Sequence, residues 1–325
     1  MSNEIARRPL RLVLQGTIAT PTLLETFWTH KSAATKKTYE SHFRAFARFV
    51  RRDLNQALDL LLDNGPGGAH QLVLASAARL NKHGKLKKSG LSSNSIAIHV
   101  SALKSFIAHA NSAHRIDWTI STKGPKTQPY RDTAGPGLDG WKKIRAQAQA
   151  DTSVRGRRNL ALILLMHNMA LRRGECVALD LPGSVRLAEK TLGVINKGKT
   201  EPDWLTIPEE TFAALVGWIE ARGNEPGPLF IRLDPGSLGL QRLDGNSVNQ
   251  LVRRLSREAG LERESRAHGL RHQATTRALE LTGGNVTAVR KLTRHAKIQT
   301  VMLYDDNRTD QAGKLAAMLA ADNGD

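Results

Sequence analysis

Between Asp117 and Gly140 the helical periodicity that runs through most of this chain disappears, and DWTISTKGPKTQPYRDTAGPGLDG takes its place. A stretch so rich in Gly, Pro and Thr has no apolar face to bury and resists regular structure. The chain therefore reads as two domains joined by an extended linker over residues 117–140. Its length of 325 residues agrees, because single hydrophobic cores stop growing at about 250–300 residues. Lys123, Lys126 and Arg131 suit this linker to track along a phosphate backbone.

Ahead of the linker, residues 1–20 read as a flexible arm and residues 21–116 as an all-helical domain. A helix begins at Ser32 with Tyr39, Phe43, Phe46 and Val50 on one face, and Lys36, Lys37, Arg44, Arg48, Arg51 and Arg52 elsewhere. A second helix covers Leu54 to Leu62 and ends at Asn64-Gly65-Pro66-Gly67-Gly68, and a third covers His70 to Asn81. A long helix follows Ser92-Ser93 to about Ala110, with Ser93 available as its cap and Ile96, Val100, Leu103 and Ile107 aligned.

After the linker, residues 141–308 read as a mixed, mostly helical domain with a small β-hairpin, and residues 309–325 as a C-terminal tail with helical spacing. A helix spans Trp141 to Ala150. The next is apolar all round from Leu160 to Met166, so it is expected at the centre of a core, with Arg172 and Arg173 at its C-terminal end, where a helix dipole favours cations. RLAEKTLGVIN and WLTIP flank a Lys-Gly-Lys turn as two short strands, with Lys197 and Lys199 at the mouth. Pro208 opens a helix facing inward through Phe212, Leu215, Val216 and Ile219. SVNQLVRRLSREAG makes another, with Val248, Leu251, Val252 and Leu255 inside and Arg253, Arg254 and Arg257 outside.

The net charge of +18 disfavours a compact chain unless a polyanion accepts it, which points to nucleic acid. An anionic membrane is the rival, but the basic residues are scattered instead of packed on one amphipathic helix. A single cysteine, Cys176, precludes an internal disulfide and fits a reducing compartment. No apolar run approaches the roughly 18 residues of a membrane span, so the expectation is a soluble, cytoplasmic, nucleoid-associated protein with no membrane partner.

The residues that carry chemistry concentrate between Arg266 and Asp306, where His268, Arg271, His272, Arg294, His295 and Tyr304 sit on an otherwise apolar scaffold. A helix from about Gly269 to Leu281, striped by Leu270, Ala274, Ala278 and Leu281, places His268 and Arg271 at its N-terminal end, where backbone N–H groups favour an anion. Gly283-Gly284 end that helix, and Asn285 caps a second one carrying Val286, Val289 and Leu292. Singly, each polar residue has a bland reading: a packed tyrosine, a solvated Arg-His pair, a solubilising hairpin lysine. His268 and His272 stand four apart, as metal ligands can, but the HExxH glutamate is missing and no Cys or carboxylate cluster accompanies them. No metal and no cofactor are expected.

Taken together, these motifs resemble those of the tyrosine recombinase (phage integrase-like) family. That family carries an arginine in a T-G-L-R-x-[SG]-E box, a lysine in a G-K-G hairpin, an H-x-x-R box, a second histidine or tryptophan, and a tyrosine nine residues later. Here Met169-Ala170-Leu171-Arg172-Arg173-Gly174-Glu175 nominates Arg172, Asn196-Lys197-Gly198-Lys199 nominates Lys197, and His268-Gly269-Leu270-Arg271 is the third box. His295 and Tyr304 match in identity and spacing. The resemblance covers residues 137–310; for residues 20–115 it rests only on helical, basic character. Ala170 replaces the first box's glycine, expected as a mild change inside a helix. Arg294 replaces the glycine before His295, expected to alter the backbone and add a cation near the phosphate. Asp305-Asp306 stand where many members have a polar residue and then histidine.

The resemblance implies metal-free phosphoryl transfer on double-stranded DNA. Arg172 and Arg271 clamp the non-bridging oxygens, His268 and His295 add donors or move protons, Lys197 protonates the leaving 5′ oxygen, and Tyr304 is the nucleophile forming a 3′-phosphotyrosyl link. It also implies a monomer when free, a homotetramer in the synaptic complex with the tail docking in trans, a role in integration, excision or resolution for a mobile element, and possible accessory directionality factors. Two rivals stay open: type IB topoisomerase-like cleavage and religation of one strand, and a non-catalytic DNA-binding protein.

Overall fold

The computed structural model describes residues 18–82, 90–126, 135–196, 199–234, 239–302, Tyr304 and 311–322. The chain divides into two compact units between Pro129 and Tyr130.

The first unit holds five helices among its described residues: α1 (Thr20–Thr29), α2 (Ala33–Val50), α3 (Leu54–Asp63), α4 (Gly65–Lys82) and α5 (Ser93–Ser112). Residues 1–17, most of the expected arm, lie outside the described residues, and α1 starts at Thr20, whose hydroxyl donates to Asp59. The expected stripe of α2 packs as read: Phe43 and Phe46 are fully buried, while Tyr39 and Val50 lie partly buried against the same core. Ser32 and Asp53 cap α2 and α3 by accepting from Thr35 N (3.2 Å) and Gln56 N (2.9 Å). Two boundaries differ from the reading above. Helix α4 runs through the Gly-Pro-Gly-Gly stretch, because a first turn does not need the N–H that Pro66 lacks. Ser92, not Ser93, caps α5, accepting from Ser95 N at 3.3 Å. The start of the 117–140 stretch, without helix or strand, lies on this unit: Trp118 and Ile120 pack on its core and Thr122 Oγ1 is 2.7 Å from His70 Nδ1.

The second unit contains α6 (Gly137–Ala150), α7 (Val154–Asn168), α8 (Arg173–Ala178), β1 (Asp180–Leu181), β2 (Val185–Arg186), β3 (Thr191–Val194), β4 (Asp203–Thr206), α9 (Glu209–Arg222), β5 (Gly227–Pro228), α10 (Gly245–Glu258), α11 (Ala267–Leu281), α12 (Val286–Thr293), α13 (Ile298–Met302) and α14 (Gln311–Asp322). Helix α7 is central, its apolar run from Ala161 to Met166 wholly buried between α6, α9 and α11. The expected hairpin is β3–β4, paired from Thr191↔Thr206 to Val194↔Asp203, and β2 adds a third antiparallel strand. Helix α6 begins ahead of Trp141, at Gly137, where a φ of +71° suits glycine.

The apolar stripe expected on α11 is only partly right. Leu270 and Ala274 are buried, but Leu281 is 70% exposed and Leu279 is buried instead. Helix α11 is wedged against α6, α7, α10 and α12, so its polar side is buried too: Arg271, His272, Gln273, Thr275 and Thr276 all lie inside. Among the described residues, no helix is long and apolar enough to cross a membrane.

Candidate active site

The site is assembled on three turns of the second unit: α7 to α8, the start of α11, and α12 to α13. Helix α7 stops at Asn168, so Arg172 and Arg173 do not cap its C-terminal end as the sequence pattern led us to expect. The chain turns through Ala170 at φ +48°, which is therefore not a mild helical position but a left-handed one. Arg172 then stands at the N-cap of α8, the end where a helix dipole opposes a cation. Glu175 holds it there. Oε2 of Glu175 accepts from Arg172 N at 2.8 Å and Oε1 accepts from Arg172 Nη1 at 2.5 Å. The Arg172 side chain keeps 36% exposure, so donors remain free to meet an incoming group. Arg173 is exposed and lies against Gly245 at the start of α10, where a Cβ would fall 2.9 Å from its Nε.

The first turn of α11 supplies His268 and Arg271. Arg271 is completely buried: Nη1 donates to Ala170 O, and Nη2 donates to Thr293 O and to His295 Nε2 (3.1 Å). Its Nε is buried as well and has no hydrogen-bond partner among the described residues. Burial, reinforced by Arg172, pushes the guanidinium pKa down to about 10, which still leaves it charged at neutral pH. His268 presents an exposed edge, yet desolvation of the rest of its ring and the cation of Arg271 lower its pKa.

Helix α12, capped by Asn285 (Oδ1 accepting from Ala288 N at 3.0 Å), ends at Thr293, and His295 follows two residues later. The Thr293 hydroxyl donates to Val289 O at 2.8 Å. Its only proton is thus used, and it can engage His295 Nδ1, 2.8 Å away, only as an acceptor. His295 therefore carries its proton on Nδ1 and offers the Nε2 lone pair to Arg271. Burial, with Arg271 and Arg172 nearby, drives its pKa down to about 3, so the ring is neutral. Tyr304 is buried, its ring centroid 4.8 Å from that of His272 and 5.7 Å from that of His295. Burial raises its pKa against the opposing pull of Arg271 and Arg172, so the free chain holds a neutral phenol.

Three guanidinium groups surround the one carboxylate of Glu175: Arg172 at 2.5 Å, Arg294 at 3.2 Å and Arg271 at 4.0 Å. Burial alone would raise the Glu175 pKa, but the Arg172 hydrogen bonds and the Arg294 charge outweigh it and the net shift is downward. The cluster holds more positive than negative charge in a desolvated place, an arrangement that favours an anion.

The structure thus brings Arg172, Arg271, His295 and Tyr304 together, with His268 on the same turn of α11 as Arg271. Lys197 lies outside the described residues, as do Leu303 and Asp305-Asp306. Lys199, its neighbour, is committed to Asp203 at 2.7 and 3.0 Å. The exposed face of α10 is partly neutralised, Arg253 and Arg257 pairing with Glu264 at 2.6 and 2.9 Å. Sequence reasoning missed Thr293 as the group that orients His295; its position two residues earlier, in the last helical turn, is the signal that was available. No group of three or more His, Cys, Asp or Glu side chains suited to a metal occurs among the described residues.

Residues 142–311 match the model of the phage integrase family. A tyrosine recombinase of Synechocystis sp. is 34% identical over 249 residues, covering 76% of this chain and 79% of that protein. A second, from Synechococcus elongatus, is 30% identical over 297 residues, 90% of each chain. Among solved structures, the Tn1549 transposon integrase in complex with transposon right end DNA superposes with a TM-score of 0.65 at 16% identity, covering 93% of this chain and all of that one. A lambda integrase dimer bound to a core site gives 0.62 at 16% identity over 90% of this chain and 96% of that one. At these identities the structural matches speak for the fold.

Proposed function

The chain belongs to the phage integrase family of tyrosine recombinases, enzymes that cut and rejoin DNA, and from that premise we propose that Tyr304 is its nucleophile and Arg172, Arg271, His268, His295 and Lys197 its catalytic set. The observation that carries this reading is the convergence of Arg172, Arg271, His295 and Tyr304, scattered over residues 172–304, around one buried excess of positive charge.

In this scheme the Tyr304 oxygen attacks the phosphorus of a DNA phosphodiester. Its phenolic proton passes to a neutral imidazole, for which His268, with its lowered pKa, is the candidate. The bond from phosphorus to the 5′ oxygen breaks, and that oxygen takes a proton from Lys197. The result is a 3′-phosphotyrosyl link and a free 5′ hydroxyl, and the same steps reversed rejoin a strand. Negative charge growing on the non-bridging oxygens is met by the guanidinium groups of Arg172 and Arg271. The commitment of Lys199 to Asp203 favours Lys197 as the acid.

The finer points of the reading are a monomer when free, a tetramer on its DNA site and a cytoplasmic, nucleoid-associated location. For the tetramer, α14 offers Met318 and Leu319, 68% and 56% exposed, as residues for a neighbouring copy to cover. The test is to express the full chain, denature it rapidly and sequence any DNA that stays bound. Wild type should retain DNA sharing a common short sequence, and Tyr304→Phe none. An adduct persisting in the mutant refutes Tyr304. Adducts without a common sequence, with relaxation of any supercoiled plasmid, would favour topoisomerase-like chemistry, and no adduct at all would leave only a DNA-binding protein.

A further inference from the structure

Arg294 stands next to His295 and was expected to bring an extra cation to the phosphate. Its backbone is left-handed, φ +55° and ψ +40°, a conformation that carries a steric cost for any residue but glycine. Its side chain is turned inward and only 5% exposed. Nη1 donates to Leu292 O (2.7 Å) and Met169 O (3.2 Å), and Nη2 donates to Ala170 O (3.2 Å) and Glu175 Oε2 (3.2 Å). Three of these four acceptors belong to the α7–α8 segment that delivers Arg172, and the fourth to the end of α12. Ala170, the other left-handed position of the site, also receives Arg271 on the same carbonyl. Two strained turns are thus joined through one guanidinium.

Glu175 makes this join consequential. Both its oxygens are engaged, Oε1 by the Arg172 side chain and Oε2 by the Arg172 backbone and Arg294. Arg294 therefore helps fix the plane in which Glu175 presents Oε1 to Arg172. With four of its five N–H directions in use and its head buried, Arg294 has little left for a substrate.

We propose that Arg294 is a positioning residue which, by bracing Glu175 and the Met169–Ala170 carbonyls, aims the Arg172 guanidinium and ties that turn to the His295 turn. The inference rests on the phosphotyrosyl reading above. Its bland competitor is that Arg294 merely neutralises a buried carboxylate for stability. The groups facing Glu175 are Arg172, Arg271 and Arg294, with the buried Cys176 thiol beside it held protonated by burial. Removing Arg294 takes away one of the cations that keep Glu175 ionised, so the carboxylate takes up a proton at higher pH and releases Arg172.

The experiment uses full-length protein and a nicked duplex carrying the recovered sequence, so that cleavage is trapped as adduct. Rates are read from pH 5 to 9 beside duplex affinity and thermal unfolding, for wild type, Arg294→Gly, Arg294→Lys, Glu175→Gln and the Arg294→Gly/Glu175→Gln double variant. Glycine suits the backbone and removes only the brace. The expected result is an adduct rate lower on the order of 10- to 100-fold with duplex affinity unchanged, and an acid limb of the profile moved to higher pH. In the Glu175→Gln background the further loss of Arg294 should leave the acid limb unmoved and cost less in rate than it does in wild type, since only the carbonyl brace is then left to lose. Arg294→Lys, which keeps the charge but cannot span the carbonyls, should hold the wild-type acid limb at a reduced rate. Wild-type rate and limb in Arg294→Gly, or independent losses in the double variant, would overturn the proposal. Should Arg294→Gly fail to fold, a wild-type rate in Arg294→Lys overturns it equally. A wild-type protein that forms no adduct sinks the phosphotyrosyl reading itself, whatever position 294 does.

Discussion

Replacing Thr293 by valine keeps the shape of a fully buried side chain and deletes its hydroxyl. Val289 O keeps its helical hydrogen bond, so its loss is small. His295 is left with two poor choices. If the proton stays on Nδ1, a buried donor loses the acceptor that stood 2.8 Å away. If it moves to Nε2, it faces the Arg271 Nη2 donor 3.1 Å away. A buried unsatisfied donor costs about 1–3 kcal/mol. In a unit of this size about 2 kcal/mol corresponds to a fall in unfolding temperature of roughly 4–8 °C. The adduct rate should fall on the order of 10-fold or more, because the arginine and histidine lose their common alignment. Calorimetry on the full chain, together with the trapped-adduct assay, measures both. Thr293→Ser, which keeps the hydroxyl and loses a methyl group, should stay near wild type in rate. A Thr293→Val protein with wild-type stability and rate refutes the tautomer argument, and a serine variant as damaged as valine would assign the effect to packing.

Other outcomes follow from the same geometry. Arg172→Lys should cost far more in cleavage than in DNA binding, since lysine cannot reproduce the two-point donation, whereas Arg173→Lys, exposed over Gly245, should be close to silent; a reversed order would move Arg173 into the site. Lys197→Ala should be slow on a normal duplex and recover when the bridging 5′ oxygen is sulfur, because a thiol with a pKa of about 8.5 leaves without a proton donor; Arg271→Ala should recover much less, and rescue of neither would remove Lys197 as the acid. His295 titrates near 6.5 when unfolded and about 3 when folded, so the unfolded chain binds the extra proton between those values and the associated stability, complete above about 6.5, is lost as pH falls toward 3. His295→Gln should flatten urea-unfolding midpoints measured from pH 7.5 to 4.5; the slope should be reduced, not abolished, since His167 and His268 shift in the same direction. An unchanged slope would mean that His295 is not held neutral by the fold.

Read on its own, the amino-acid order determined what depends on short spacings. The 3.6-residue repeats placed most helices, the Phe43 and Phe46 face of α2 and the buried run of α7, and the Asn285 cap was legible because a helix start is a local event. The candidate set was legible as well, since each member sits in a short motif whose order along the chain is distinctive. Tertiary structure alone decided the rest. That Arg172 caps α8 instead of closing α7 depends on a left-handed turn at Ala170, a conformation that an alanine does not announce. That α11 buries Arg271 and His272 as deeply as Leu270 depends on four helices packing around it, which overrides any single apolar stripe. And the inward turn of Arg294 depends on Glu175 and two carbonyls more than a hundred residues earlier in the chain. Periodicity reports how a segment meets one surface, whereas a buried charge is settled by whichever partners the fold brings to it, and those partners are distant in sequence.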